Sequence, residues 1–406
     1  MTRTEKLLAE LVALPSVNPG FAPGLAQAEE AASSPPSSAG CGPGQRRGTE
    51  TAAQRAGGLY GEKNVADFLA TIAAKAGLEI EFQAVLPGRP NLIARLLPRQ
   101  RLTQTILLAP HLDTVGAEDA CFVPRRKNGR LYGRGTCDTK GSVVAMLTAL
   151  CELAESPVRP LTTQIVFAGL ADEEYAQAGS RALAATGFQA DLAIVGEPTR
   201  LQVVTAHKGS LWLELTTRGK AAHGATPHLG KNAVYEMARV VGAIESEYAA
   251  QLQRRGHKLL GPATVSVGQI SGGTQPNIVP AGCTITVDRR TLPGETDAQV
   301  FREIAALLRR RNLKATIANT KIAPAPAMET NPELPQVRQL FAVVGQTRPA
   351  GVNYFCDAAV LAAGGLPCVV FGPGDIAQAH TADEWISLAQ LERAKELLLR
   401  FLKSLP

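Results

Sequence analysis

Five short stretches each carry a side chain able to bind a metal ion. They are His111 in Pro-His-Leu-Asp-Thr, Asp138 in Gly-Arg-Gly-Thr-Cys-Asp-Thr-Lys-Gly, Glu174 in Ala-Asp-Glu-Glu-Tyr, Glu197 in Val-Gly-Glu-Pro-Thr and His380 in Gln-Ala-His-Thr. Two imidazoles and three carboxylates result. Three carboxylates set against two zinc ions leave one positive charge, which one hydroxide neutralises while supplying the nucleophile of a hydrolysis. Any one fragment alone is more often a solvated or hydrogen-bonded residue than a ligand, so the two-metal reading rests on the combination.

Two further acidic residues follow from position. Glu173 and Glu174 are adjacent and must point differently, so one can hold metal while the other takes a proton from water and returns it to a leaving amine. Glu173 is expected to be that general base. Asp113, two positions after His111, is expected to accept the other ring N–H and fix the tautomer; its alternative role is to cap a turn.

The elements that must position these groups alternate between strand and helix. Thr105–Ala109 is a short apolar run delivering His111 and Asp113, Gln164–Leu170 leads to Glu173 and Glu174, and Leu192–Val195 leads to Glu197. Open α/β sheets place ligands at the carboxyl ends of their strands, which supports the metal reading. Asp138 lies in a glycine-punctuated loop before an apolar helix over 141–154. Residues 2–14 carry Leu7, Leu8, Leu11 and Val12 at helical spacing, and Val65, Phe68, Leu69 and Ile72 line a second helix. Strands follow at Ile80, Phe82 and Ala84 and over 91–97. Between the two helices, 18–58 is rich in Pro, Gly, Ser and Ala and is expected to be a flexible insertion, the alternative being a lid near the site.

From Lys208-Gly209 the pattern changes to strand 210–218, helix 230–249, strands 263–270 and 282–290, helix 297–310 and strand 313–319. This β-α-β-β-α-β order is that of a ferredoxin-like unit. Ala323-Pro-Ala-Pro-Ala reads as a return linker, and the strand Pro367–Phe371 with its Gly372-Pro-Gly turn brings the chain back before His380. The expected fold is α/β: a mixed sheet flanked by helices, built from 1–208 and 322–406, with a smaller domain inserted over 209–321.

Composition agrees with two folded domains: 406 residues, 45% hydrophobic and 19% charged. The net charge of +6 arises from 42 basic and 36 acidic residues without a dense basic run, which argues against a nucleic-acid partner. Cysteines 41, 121, 137, 151, 283, 356 and 368 form no CxxC pair, as expected in a reducing compartment. The first fifteen residues interleave charge with leucine, unlike a secretory signal, and no segment approaches a membrane span. The cytoplasm is the expected location.

The order HxDTV, GRGxxDxKG, DEE, GEPT and a late AH resembles the M20 family of metallopeptidases and deacylases, which includes acetylornithine deacetylases, succinyl-diaminopimelate desuccinylases, aminoacylases and carboxypeptidases. The likeness runs through almost the whole chain outside the insertion. It implies that His111 and Glu197 hold one metal, Glu174 and His380 the other, and that Asp138 bridges them beside a cis peptide. Zinc is the expected ion, with cobalt or manganese as substitutes. The resemblance also implies homodimers formed through the smaller domain. His223, in Gly-Lys-Ala-Ala-His-Gly, matches a family histidine that reaches an active site, often that of the partner subunit, and stabilises an oxyanion.

Asn277, after Pro276, and Arg290 join it as expected substrate groups. Family spacing selects Arg290 over Arg289, and a guanidinium grips a carboxylate through two parallel charge-assisted bonds; a surface salt bridge is the ordinary fate of either. His207, His228 and His257 are read as structural or solvent-facing. Two departures, Ala109-Pro110 before His111 and Phe355-Cys356 before Asp357, remove no ligand; Cys356 is a packing residue, the usual place of a lone buried cysteine, or shapes the acyl pocket. The implied activity is cleavage of the amide bond of an N-acyl amino acid, acetylornithine first. The alternatives are desuccinylation or hydrolysis of di- and tripeptides, and more remotely a binding protein that has lost catalysis.

Overall fold

Four apolar segments lie side by side as parallel strands, in the order Thr163–Gly169, Gln104–Pro110, Leu192–Gly196 and Cys368–Val370. They are buried almost throughout, which is why they read as unbroken apolar runs rather than alternating ones. A hairpin, Glu79–Leu86 with Arg89–Leu96, continues the sheet antiparallel beyond Thr163–Gly169. The computed structural model describes residues 1–21 and 60–406. Most of the expected insertion therefore lies outside the described residues.

The helix Lys140–Glu155 is buried over almost its whole length and packs against the helices Leu388–Lys403 and Arg3–Val12. Lys63–Lys75 covers the hairpin. Leu8, Leu69, Val144, Phe167, Phe371 and Phe401 are fully buried in the resulting core. Each such side chain contributes roughly 1.5–3 kcal/mol through burial. Because the four parallel strands point one way, their carboxyl ends share an edge, and there the chain presents His111, Glu173, Glu174 and Glu197.

The chain divides into two compact units: Met1–Val203 with Glu333–Thr347 and Gly364–Pro406, and Val204–Pro332 with Arg348–Ala363. The second contains a fully antiparallel sheet in the order Thr264–Gly272, Gly282–Thr291, Gly209–Arg218, Thr316–Asn319. One face buries Leu211, Leu213, Leu215, Ile285 and Val287 with Met237 and Val240 of helix Ala233–Ala243 and Ile304 and Leu307 of helix Asp297–Arg310. The other face is polar, and Trp212 on it is 46% exposed.

Several bounds differ from the sequence reading. Residues 348–363, expected with the returning segment, group with the second unit because Ala350–Val352 pairs parallel to Val204–His207. The helix expected over 230–249 begins at Ala233, where the Asn232 side chain accepts from the N–H groups of Val234 and Tyr235, and it passes through a π turn at Ile244–Tyr248 before ending at Gln253. Residues 18–21, taken as the start of the loop, are placed: Asn18 is buried and Pro19–Phe21 forms a 3-10 turn.

Candidate metal centre

His111 follows the last residue of its strand, and its imidazole is buried. Its Nε2 lies 3.0 Å from Asp138 Oδ1 and 3.9 Å from Glu197 Oε1. His380 Nε2 lies 3.4 Å from Asp138 Oδ2 and 3.1 and 3.2 Å from the two Glu174 oxygens. Asp138 thus stands between two imidazoles with one oxygen toward each. The peptide bond after it is cis. One ligand atom each from His111, Asp138 and Glu174 lies within 4.8 Å of the others. His380 sits in the left-handed backbone region at φ 61° with its side chain 53% exposed, at the open side of the cluster.

Asp113 fixes the glutamate pair. Its Oδ1 accepts the main-chain N–H of Glu173 and its Oδ2 that of Glu174, both at 3.1 Å. Asn18 Nδ2 donates to Asp113 Oδ2 at 2.7 Å and to Asp172 Oδ1 at 2.9 Å. Arg89 in turn donates to both Glu62 oxygens and to Asp172. The turn between strand and glutamates is therefore held at every polar group, as a buried network must be. His111 Nδ1 lies closest to the main-chain oxygen of Asp113, at 3.0 Å, with the carboxylate at 3.4 Å. The main-chain oxygen of Asp113 thus makes the closer contact to the imidazole, with the carboxylate expected there beside it.

Charge in this space is unbalanced without cations. Burial works against a charged His111, yet hydrogen bonds to Asp113 and Asp138 outweigh it and hold its pKa well above the ordinary range. Hydrogen bonds to Asp138 and Glu174 lift His380 to about 10. Burial, then the Asp138 charge, pushes Glu174 up to about 7. A donor set of two imidazole nitrogens and three carboxylates, buried except for His380, fits divalent ions of the zinc, cobalt or manganese kind.

Further contacts tie the cluster to its scaffold. Thr139 Oγ1 donates to the Gly196 carbonyl at 2.9 Å, linking the Asp138 loop to the residue before Glu197. Lys140 Nζ donates to the carbonyls of Leu11 and Leu14 at 2.9 and 2.8 Å, and burial lowers its pKa to about 7. Glu384, absent from the sequence reading, accepts from Arg134 and from the main chain around Asp138. Asn18, Glu62, Arg89 and Asp172 are likewise not marked by any motif spacing. Their only local signal is that polar residues flank the motifs, Asp172 directly before Glu173 and Glu384 four residues after His380.

His223, Asn277 and Arg290 all belong to the second unit. His223 and Asn277 are exposed on adjacent segments: Gly224 N–H donates to the Asn277 carbonyl at 2.7 Å, and a bridge joins His223 to Ile278. Arg290 is half-buried and donates through Nε to Asp288 at 2.9 Å. Arg289 is fully buried and paired with both Glu295 oxygens. His207 is buried, His228 exposed, and His257 lies 3.1 Å from Glu329. Cys356 is buried, as packing requires.

Comparison with known proteins identifies relatives of the whole chain. The family model described as Peptidase family M20/M25/M40 matches residues 107–404. Acetylornithine deacetylase of Proteus mirabilis is 32% identical over 346 residues, covering 82% of this chain and 87% of that protein. The same enzyme of Myxococcus xanthus is 34% identical over 280 residues, 68% of this chain and 72% of that protein. Among solved structures, a tripeptidase of Staphylococcus aureus superposes with a TM-score of 0.74 at 18% identity, covering 99% of this chain and 97% of that one. An M20 family metallo-carboxypeptidase of Sulfolobus solfataricus gives 0.71 at 18% identity, covering 99% of each chain. These structural likenesses bear on the fold alone.

Proposed function

Because the chain belongs to the peptidase family M20/M25/M40, hydrolases of amide and peptide bonds, we propose that it is a two-metal amidohydrolase releasing the amino acid from an N-acyl amino acid, with N-acetyl-L-ornithine the first substrate. The observation that carries the reading is the position of Asp138 between His111 and His380, one oxygen toward each, with Glu174 and Glu197 alongside. His111 and Glu197 would hold one ion and Glu174 and His380 the other, with Asp138 within reach of both. Divalent ions bound there supply Lewis acidity that polarises a carbonyl and acidifies water.

Glu173 is the proton carrier. Asp113 fixes the Glu173 main chain beside that of Glu174, which places this residue next to a proposed ligand. It takes a proton from the attacking water and gives it to the departing amine nitrogen, a transfer contributing ~10²–10⁴-fold in rate. Arg290 binds the substrate carboxylate, and His223 with Asn277 stabilises the developing oxyanion. Exposed Tyr235 and Ile270 and the edge strand Thr264–Gly272 support pairing of two chains through the second unit. Free thiols at all six described cysteines support a cytoplasmic location, and no described helix is long and apolar enough to cross a membrane.

The test is release of free amine by the zinc- or cobalt-loaded protein from N-acetyl-L-ornithine, beside N-succinyl-diaminopimelate, other acyl amino acids and short peptides. A dominant, chelator-sensitive rate on N-acetyl-L-ornithine is expected. A dominant rate on a peptide would reassign the substrate, and no hydrolysis by protein carrying both ions would remove the enzymatic reading.

A further inference from the structure

The segment that supplies His380 also grips the loop that supplies Asp138. Glu384, four residues on, is 1% exposed at its side chain and is saturated with donors. Its Oε1 accepts the main-chain N–H groups of Cys137 at 2.7 Å and Asp138 at 3.0 Å. Its Oε2 accepts the N–H of Gly135 at 2.9 Å and Nη1 of Arg134 at 2.7 Å. Gly133 N–H donates to the Glu384 carbonyl at 3.0 Å, and the next residues, Trp385–Ser387, pair with Arg130–Tyr132. Every residue from Gly133 to Asp138 except Thr136 is thus bonded to one glutamate, and Thr136 bonds back to Gly133.

We propose that Glu384 is the positioning residue of the metal centre: by collecting the N–H groups on either side of Cys137 it presets the backbone that aims Asp138 between His111 and His380. Its carboxylate is engaged by Arg134 and three main-chain N–H groups, so it acts through the Asp138 loop. Because 380–384 is one short segment, the same glutamate fixes the spacing of Asp138 to His380. Both carboxylate oxygens accept from donors, so a glutamine fails in either orientation, since its NH₂ must face an N–H. A residue needed only for its bulk and packing would tolerate that isosteric change.

This inference rests on the metal reading, and its test separates the two. Zinc affinity of the full chain is measured by competition with a chromophoric chelator, alongside Tm of the apoprotein. Glu384→Gln is expected to lower zinc affinity ~10–100-fold, the range for losing a group that orients a ligand. Leu398→Ala, a buried core truncation, serves as a control for stability loss and is expected to retain wild-type affinity. Wild-type affinity in folded Glu384→Gln, or an equal loss in Leu398→Ala, overturns the proposal. If Glu384→Gln does not fold, Glu384→Asp, which keeps charge and both acceptors on a shorter arm, is measured in its place, and unchanged affinity there overturns it equally. Failure of the wild-type chain to bind zinc removes the metal reading and this inference with it.

Discussion

Asp113 accepts the main-chain N–H of Glu174 through the same oxygen, Oδ2, that holds Asn18. Its other oxygen holds the N–H of Glu173, so a single buried carboxylate sets the direction of the proposed ligand and the proposed base together. Asp113→Asn places an NH₂ against one of these donors. Turnover is expected to fall ~10–100-fold with the fold retained. Glu173→Ala, by contrast, should keep its metal and lose ~10²–10⁴-fold in kcat. Metal analysis of the two purified variants beside their kinetics distinguishes the roles; metal loss in Glu173→Ala would exchange Glu173 with Glu174.

Gly372 lies where no side chain fits. A Cβ there would stand 2.3 Å from Ser142 Oγ and 2.5 Å from the Glu197 carbonyl oxygen. Gly372→Ala is expected to cost ~1–3 kcal/mol by overpacking and to weaken metal binding by moving Glu197. Gly242, in the helix Ala233–Ala243, meets nothing within 4 Å, and Gly242→Ala should stabilise by ~1 kcal/mol. Urea unfolding of both variants checks the opposite signs.

The neighbouring arginines should separate stability from binding. Arg289 is fully buried, donates to both Glu295 oxygens at 2.9 Å and reaches the Tyr248 hydroxyl at 3.2 Å. Removing it leaves the Glu295 carboxylate with only the Leu292 N–H at 2.9 Å and Arg255 at 3.8 Å, and Arg289→Ala is expected to cost ~3 kcal/mol, the low end for a broken buried pair. Arg290→Ala loses one half-exposed pair, worth ~1 kcal/mol or less, and should act on KM for carboxylate-bearing substrates. Equal stability losses in the two variants would contradict this division.

His207 gives the second unit an acid-sensitive point. Burial lowers its pKa to about 4, its Nδ1 lies 2.9 Å from the Lys208 carbonyl, and Nε2 has no partner among the described residues. The unfolded chain binds the proton near pH 6.5 and the folded chain only near 4, so stability is complete above about 6.5 and falls as pH drops toward 4. The loss is on the order of 3 kcal/mol. The decline in Tm over that window should be shallower in His207→Gln than in the unaltered chain; parallel curves would assign the decline to other groups.

Much of this architecture was legible because chemistry sits at strand ends. Runs such as Leu192–Val195 announce buried parallel strands, and the acid or imidazole directly after each is conspicuous. Asp138 showed itself through the glycines around it. Glu384 did not, because its value lies in contacts with a loop some 250 residues away that leave no periodic trace. Asn18 was hidden differently: it adjoins a Pro- and Gly-rich stretch, and only the folded chain reveals that it joins Asp113 to Asp172. The three-residue strand Ala350–Val352 is too short to carry a pattern, so the unit it joins was not apparent.

Metal stoichiometry of the purified chain, by equilibrium dialysis against zinc followed by elemental analysis, tests the central claim most directly. The account predicts two ions per chain, falling in Asp138→Ala because both sites share that carboxylate. A chain that binds no zinc, or an Asp138→Ala variant that still binds two ions with undiminished affinity, would contradict it.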